Sequence, residues 1–497
     1  MSQPTSETPD RVLLECIGGP DLGRALLVTV TPLAFGKGRN AQFSSNDPLV
    51  SQHHAMFYVR AGVLWVEAAP DAKVVVEGRY ATTSPVRPSD RIKMGDSYWQ
   101  QRPIPSPPEA GGLFEAISSR VGETVGLGKL DRFSFAELFS EVFRRHSSDE
   151  AESLLAAGTS RTTPSLDLVE GGWPKPWLFV RMALLSLAAC LLFIIGGLVW
   201  DNTKFIPGLI ITGSAMVPAA LLVLFMEMNA PRNVSSFRLA QVVVVAGGIS
   251  LVLAMLMFQI PWSSTFLWGP MVAGPAEELA KLGAVLTVVW IAKYRWTLNG
   301  LLLGAAVGAG FSAFETAGYA FDKLVTDLVA GAAAFIRANP NVLGLSDADY
   351  FNVVLSQVFG NVEPSGMLFT LAIRAFTSIG GLHVAWTAMV GAALWKARGD
   401  RPFRITLLLH PFFLRTLFIA MALHALWNMP IPVPDTLQWG LLGAKFLVIG
   451  GISWSIVLVY ANDGMRQVRK AKAEWLASQK GTAPANPSGY EGSMVWR

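Results

Sequence analysis

The chain has 497 residues, 52% of them hydrophobic and only 15% charged, where an ordinary soluble domain has roughly 25% charged residues. That composition argues against one large soluble enzyme and against a disordered chain, and the formal net charge of +4 is too small for nucleic-acid binding by bulk electrostatics. Charge is spread unevenly: it makes up about 22% of residues 1–176 and about 10% of residues 177–461, the pattern of a soluble head fused to a membrane domain. Two distant cysteines, Cys16 and Cys190, give neither a disulfide framework nor zinc-finger spacing. The polar start MSQPTSETPDR has no signal-peptide core.

Residues 11–100 alternate with period two in the runs LLECI, ALLVTVTPLAFG, HHAMFYVRAG, VLWVEAA, KVVVEGR and RIKMGDSYW, with turn residues between them. Short strands at this spacing predict an all-β sandwich over residues 1–101. Residues 102–112, RPIPSPPEAGG, read as a Pro/Gly-rich linker, which continues to residue 176. Within it Phe133 to Phe143 is amphipathic and predicts a small helix, and residues 147–172 are rich in Ser, Thr and acidic residues and predict a flexible segment. Thr159, Thr162 and Thr163 there are candidate phosphorylation sites.

From 177 to 461 the hydropathy predicts an all-α polytopic domain of about eight spans, near 178–199, 205–227, 238–260, 270–292, 297–321, 372–395, 405–428 and 437–460. Arg415 and Lys445 fall inside assigned spans. Lys and Arg collect in alternate connections: Arg232 and Arg238; Lys293 and Arg295; Lys396, Arg398, Arg401 and Arg404; and Arg466, Arg469, Lys470 and Lys472 in the tail. By the positive-inside rule both termini are cytoplasmic, which makes 322–363 a long outer loop and 462–497 a basic, disordered cytoplasmic tail. Gly300, Gly304 and Gly308 share one helix face and predict a close helix–helix seam.

Four spans carry polar groups that cost about 2.5–3.5 kcal/mol each at a bilayer centre: Glu277, Glu278 and Lys281; Glu315 and Tyr319; Arg374 and His383; His424 and Asn428. At 1.5 Å per residue Glu277 lies about 10–14 Å below the outer boundary of its span, Glu315 about 9 Å, His383 about 16 Å and His424 about 6 Å. Four helices thus place polar groups in one layer. Gly274-Pro275 predicts a kink or restart that puts Glu277 in the first turn after the break, near free N–H groups. Adjacent carboxylates point about 100° apart on a helix, so Glu277 and Glu278 divide their work. The set suits hydrolysis by a Glu-activated water, a metal-activated water held by His and Glu, or a proton relay. No HExxH motif is present.

The ordered motifs Glu277-Glu278-x-x-Lys281, Phe314-Glu315-x-x-x-Tyr319, the late-span His383 and His424-Ala-Leu-Trp427-Asn428 resemble the PrsW family of bacterial intramembrane proteases, which is similar to the CAAX prenyl endopeptidases. The resemblance spans roughly 177–461. It implies a glutamate-dependent peptidase of the bacterial inner membrane that cleaves a membrane-anchored protein near the outer face, by analogy an anti-sigma factor or another signalling protein. It implies Glu277 as general base with Glu278 as its partner, His383 on the water, His424 with Asn428 on the oxyanion side, and Glu315, Tyr319, Lys281 and Arg374 as catalytic or supporting groups. It implies no obligatory cofactor and no assigned metal ligand; a divalent metal such as zinc stays open. A catalytically inactive scaffold and a proton-coupled transporter are the alternatives, and no internal repeat supports the second.

In the head, Phe35-Gly36-Lys37, Val50-Ser51-Gln52-His53-His54-Ala55, Val76-Glu77-Gly78 and Asp90-Arg91-Ile92-Lys93-Met94-Gly95 resemble the landmarks of a forkhead-associated (FHA) domain. That resemblance implies a phosphothreonine protein partner gripped by Lys37, Arg39, Ser51 and His54. Lys37 and Gln52 stand where the family has arginines, and Asp71-Ala72-Lys73 lacks its asparagine.

Overall fold

The computed structural model describes residues 11–38, 41–102, 113–127, 130, 133–169, 171–200, 202–260, 269–291, 294–360 and 364–479. Arg39, linker residues 103–112, Lys293 and the tail from residue 480 lie outside them. The chain divides into two compact units, Met1–Ala110 and Gly111–Arg497.

The first unit is a sandwich of two sheets, β2-β1-β11-β10-β7-β8 and β4-β3-β5-β6-β9. Its strands are β1 (Arg11–Gly18), β2 (Ala25–Thr29), β3 (Leu33–Gly36), β4 (Phe43–Ser44), β5 (Ala55–Arg60), β6 (Val63–Ala68), β7 (Val74–Val76), β8 (Arg79–Tyr80), β9 (Thr83–Val86), β10 (Arg91–Met94) and β11 (Ser97–Arg102). The period-two pattern is realised directly: Leu14, Val28, Phe57, Val66, Ile92 and Trp99 point into one buried core shared by both sheets, as a half-buried pleated strand requires. The Glu77-Gly78 turn between β7 and β8 has both residues at positive φ, 46° and 77°, the geometry of a two-residue hairpin that matches strand twist.

The second unit is helical. A juxtamembrane segment, with α1 (Leu113–Thr124), α2 (Phe135–Leu138) and α3 (Ser148–Ala156), precedes α4 (Leu178–Trp200), α5 (Ile206–Met228), α6 (Ser236–Gln241), α7 (Gly247–Phe258), α8 (Ala273–Val289), α9 (Thr297–Ala338), α10 (Asp347–Gly360), α11 (Ser365–Ile379), α12 (Leu382–Arg398), α13 (Pro411–Asn428) and α14 (Asp435–Gln479). A π-helical turn, Val242–Ala246, joins α6 to α7.

Among the described residues six segments are long and apolar enough to cross a membrane: Leu178–Gly197, Thr203–Met228, Ser236–Phe258, Thr297–Ala338, Ser365–Arg398 and Asp435–Ser478. The other two predicted spans are the shorter α8 and α13, of 17 and 18 residues, whose polar residues dilute their hydropathy. The predicted span 372–395 is two helices, α11 and α12, because Gly381 takes φ 80°, a conformation that ends a right-handed helix.

Three expectations are corrected. The region 322–360 is not a loop: α9 runs to Ala338 and α10 follows; residues 361–363 lie outside the described ones. The helix outlasts the apolar span because the Ala-rich run to Arg337-Ala338 keeps high helix propensity after hydropathy falls. Residues 462–479 are not a disordered tail but the end of α14, held where Lys472 donates to the carbonyls of Asp167 and Val169 and Arg469 to that of Gly171. Residues 147–169 do not form a flexible segment: Val169 joins Val125, Leu127 and Leu138 in the core of the second unit. Glu227 on α5 accepts N–H groups of Trp177, Leu178 and Phe179 at 2.8, 2.9 and 3.0 Å, capping the free donors at the start of α4. Arg415 and Lys445 also find partners, Arg415 on the Thr124 carbonyl and Lys445 on those of Trp427 and Met429.

Candidate active site

Close helix approach builds the site. A Cβ at Gly300, Gly304 or Gly308 of α9 would meet the α12 backbone oxygens of Gly391, Thr387 and His383 at 2.7, 2.3 and 2.5 Å. The predicted seam is therefore the α9–α12 contact, and its Gly308 end sets His383. Gly274 does the same between α8 and α13, facing the Met421 carbonyl at 2.5 Å and the Ala425 N at 2.7 Å, which brings Glu277 and Glu278 against His424. The helix does restart near Gly274-Pro275, at Ala273 after the turn Gly269–Val272. Glu277 stands one residue beyond the first turn rather than within it. Pro275 occupies a first-turn position, where a missing N–H costs nothing.

The two adjacent glutamates have different surroundings. Glu278 Oε1 accepts from Lys281 Nζ at 2.6 Å and from His424 Nδ1 at 2.9 Å. Glu277 Oε2 is buried without a hydrogen bond among the described residues. It faces His424 Nε2 at 3.7 Å, His383 Nδ1 at 3.8 Å and Lys281 Nζ at 3.8 Å. Lys281 also donates to His383 Nδ1 at 3.1 Å. On its far side His383 presents Nε2 to Glu315 Oε2 at 3.3 Å. Glu315 is paired with Arg374, whose Nε donates to Thr316 Oγ1 at 3.0 Å. The guanidinium lies over the Tyr319 ring at 4.5 Å.

Seven of the predicted residues thus meet in one cluster: Glu277, Glu278, Lys281, Glu315, Arg374, His383 and His424. Tyr319 borders it through Arg374. Asn428, at the last turn of α13, has no hydrogen bond to the cluster among the described residues. Sequence reasoning left out Thr316, Phe311, whose ring lies 4.6 Å from Lys281 Nζ, and Trp386, which touches both histidines. Trp386 was visible one turn beyond His383, but an aromatic in an apolar span carries no signal of its own.

Glu277, His383 and His424 each offer one donor atom, all within 4.8 Å of one another. Two imidazoles and a carboxylate are a common zinc ligand set, and arms of about 2.0–2.1 Å need donors roughly 3.3 Å apart, a small contraction from the separations present. Two further observations fit a cation. Glu277 Oε2 has no hydrogen bond among the described residues, and the Lys281 ammonium already lies against two of the three donors, those of Glu277 and His383. Three carboxylates here face two cationic side chains, so the cluster has negative charge to spare. The divalent metal left open by the sequence thus has a candidate triad in Glu277, His383 and His424.

In the head, Lys37 and Ser51 lie on neighbouring loops: the Lys37 N–H donates to the Ser51 carbonyl at 3.0 Å and that of Gly38 to Gln52 at 2.7 Å. A Cβ at Gly36 would meet Gln52 O at 2.3 Å, so the loops approach closely only with glycine there. His54 is buried, and its Nδ1 accepts the Ser51 N–H at 3.1 Å. The structure therefore places it as a brace beneath the loop rather than on the surface with Lys37 and Ser51; burial holds its imidazole below its ordinary pKa. Asp47 braces the loop from the other side. Burial pushes its carboxyl up, but bonds from Leu49 N–H, the Ser97 hydroxyl and Asp96 N–H outweigh this and hold it below its ordinary pKa.

Comparison with curated proteins gives no match. Among solved structures the head is similar to an FHA domain from a study of phosphothreonine-dependent FHA interactions (22% identity, 19% of this chain, 99% of that one, TM-score 0.18). It is also similar to the FHA domain of the CT664 protein of Chlamydia trachomatis (19% identity, 19% and 98%, TM-score 0.18) and to that of an Arabidopsis thaliana hypothetical protein (18% identity, 22% and 99%, TM-score 0.20). Residues 235–460, which contain every member of the buried cluster, match the PrsW family of intramembrane metalloproteases.

Proposed function

We propose that the membrane unit hydrolyses a peptide bond of a membrane-anchored protein, with the attacking water placed between Glu277, His383 and His424. The observation that carries this reading is the buried Glu277 Oε2, without a hydrogen bond and aimed at two imidazole nitrogens from two other helices. A carboxylate in that position takes a proton from water, and an imidazole beside it can return one to the leaving amine. Glu278 holds the Nδ1–H of His424 and Glu315 faces Nε2 of His383, so each ring keeps its other nitrogen toward Glu277. Arg374 fixes Glu315 in turn, and Lys281 neutralises Glu278. Asn428, one turn after His424, is proposed as a donor to the developing oxyanion.

Glu277, His383 and His424 would hold a divalent ion such as zinc, which when bound supplies Lewis-acid activation of water or carbonyl. The second oxygen of Glu277 then remains for the proton. The basic residues of alternate connections support an inner-membrane protein with both termini cytoplasmic and the site toward the outer face. The head, with Lys37 and Ser51 at one end, is proposed to bind a phosphothreonine-bearing protein that regulates cleavage.

The test compares wild type with Glu277→Gln in the native host by proteomics of membrane-protein N-termini, at matched abundance. Cleavage products present only with wild type are expected, and identical profiles across several stresses overturn the reading. With the purified protein, a chelator is expected to abolish cleavage and zinc to restore it; full activity in chelator removes the metal from the mechanism.

A further inference from the structure

The structure assigns Trp386 and Ser453 as positioning residues that set the plane of His424 and pack its neighbour His383. The inference rests on the protease reading above and adds to it two residues that neither titrate nor hold a ligand.

His383 is held at both nitrogens, by Lys281 and Glu315, but Glu278 fixes only one edge of His424, which leaves ring rotation about that contact open. Trp386 closes it. Its indole is fully buried, stacks on His424 with centroids 4.6 Å apart and planes at 26°, and meets His383 edge-on at 5.6 Å and 82°. The two imidazoles stand nearly perpendicular to each other, at 79° and 5.0 Å, and one indole touches both. Trp386 follows His383 by three residues on α12, so the two side chains share a helix face.

The indole is itself anchored. Its Nε1–H donates to Ser453 Oγ at 2.9 Å, and that hydroxyl donates to the Ile449 carbonyl at 2.7 Å. Ser453 is fully buried on α14. A hydroxyl with both roles assigned leaves the indole one direction for its N–H, and the indole face leaves His424 one plane for its nitrogens. The chain of positions therefore runs from α14 through Trp386 to the nitrogens that face Glu277. Partners that orient metal-binding histidines are worth about 10–100-fold in metal affinity or activity.

The full-length protein in detergent is compared with Trp386→Leu, Trp386→Phe, Ser453→Ala and Ser453→Thr. Three readouts are taken: Zn2+ affinity by competition with a chromophoric chelator, the visible spectrum of the Co2+ form, and kcat and KM for a substrate found in the N-terminal profiling. Trp386→Leu is expected to weaken Zn2+ about 10–100-fold, alter the Co2+ spectrum and lower kcat with KM unchanged. Ser453→Ala should do the same in smaller measure, Ser453→Thr should restore wild-type values, and Trp386→Phe, which keeps a ring but loses the N–H, should fall between. Variants are compared only where thermal unfolding in detergent stays cooperative, and Ser453→Ala against Ser453→Thr carries the test if Trp386→Leu fails to fold. Wild-type Zn2+ affinity, Co2+ spectrum and kcat in Ser453→Ala or a folded Trp386→Leu overturn the inference while the protease reading stands. A wild type that neither binds Zn2+ nor cleaves overturns both.

Discussion

Gly308→Ala isolates the link between packing and the site. The added Cβ would lie 2.5 Å from the His383 carbonyl oxygen and 2.9 Å from Val384 Cα. Ordinary contact begins at 3.4 Å, so α9 and α12 must part by about 0.9 Å at the level of His383. The obstacle is backbone, which has no rotamer to escape into. Overpacking of this kind costs about 1–3 kcal/mol of stability, which a buried seam of this size can survive. The site is less tolerant, because a displacement of about 1 Å costs on the order of 10²-fold in rate. His383 also holds Nδ1 only 3.8 Å from Glu277. The assay is substrate cleavage alongside thermal unfolding in detergent, with Gly318→Ala as the control. Gly318 lies on the same helix with nothing within 4 Å of its Cβ, so alanine there should stabilise by about 0.5–1 kcal/mol and leave activity alone. Gly308→Ala is expected to lose about 100-fold in cleavage while remaining folded. Wild-type cleavage in Gly308→Ala would refute the claim that this seam sets His383.

Three other perturbations separate the roles assigned above. Lys281→Met leaves the buried Glu278 with His424 as its one side-chain partner, so unfolding should become easier by about 3 kcal/mol, whereas a surface lysine such as Lys470 should tolerate the same change; calorimetry in detergent decides. Asn428→Ala should lower kcat about 100-fold with an unchanged unfolding temperature, because among the described residues Asn428 has no hydrogen bond to the cluster to lose; equal kcat would remove it from the oxyanion role. The head should be acid-sensitive. His54 has a folded pKa below its ordinary 6.5, so its contribution to stability is present above that pH and is lost as pH falls toward the folded value; Asp47, held below its ordinary 3.8, adds a second loss below about pH 4. Protection factors for hydrogen exchange, corrected for the intrinsic rate at each pH, should therefore fall in the β5 and β10 strands below pH 6.5 in the wild type, and constant protection down to pH 4 would contradict the burial argument.

The head was legible because period-two alternation is a local property, and the two-sheet core follows from it once both faces must be covered. The membrane unit was legible where hydropathy is uniform and misread where hydropathy and helix propensity part. Asp322, Lys323 and Asp327 close the apolar window while the alanines beyond them carry α9 onward. The lysines, alanines and glutamate of residues 470–474 do the same for α14. The cluster stood out because a carboxylate or imidazole in an apolar span is costly enough to demand a reason. Its division of labour was only partly readable: the angle between adjacent residues separates Glu277 from Glu278, but nothing local says that Lys281 reaches His383, 102 positions away. Trp386 and Ser453 were silent for the opposite reason, since neither residue type is out of place in a buried helix.

The modest length of α8 and α13 has a consequence for the surrounding lipid. At 1.5 Å per residue they reach about 25–27 Å, short of a hydrocarbon layer about 30 Å thick. Phe418 and Leu426 of α13 are exposed, so in a bilayer that side of the protein would meet acyl chains. Chains adjoining a helix too short for them compress or tilt, and the headgroups on that side are drawn inward. The membrane itself then forms part of the approach to Glu277. On the proposed peptidase reading, a substrate segment arriving there would meet water deeper than elsewhere, which makes bilayer thickness a determinant of which bond lies within reach.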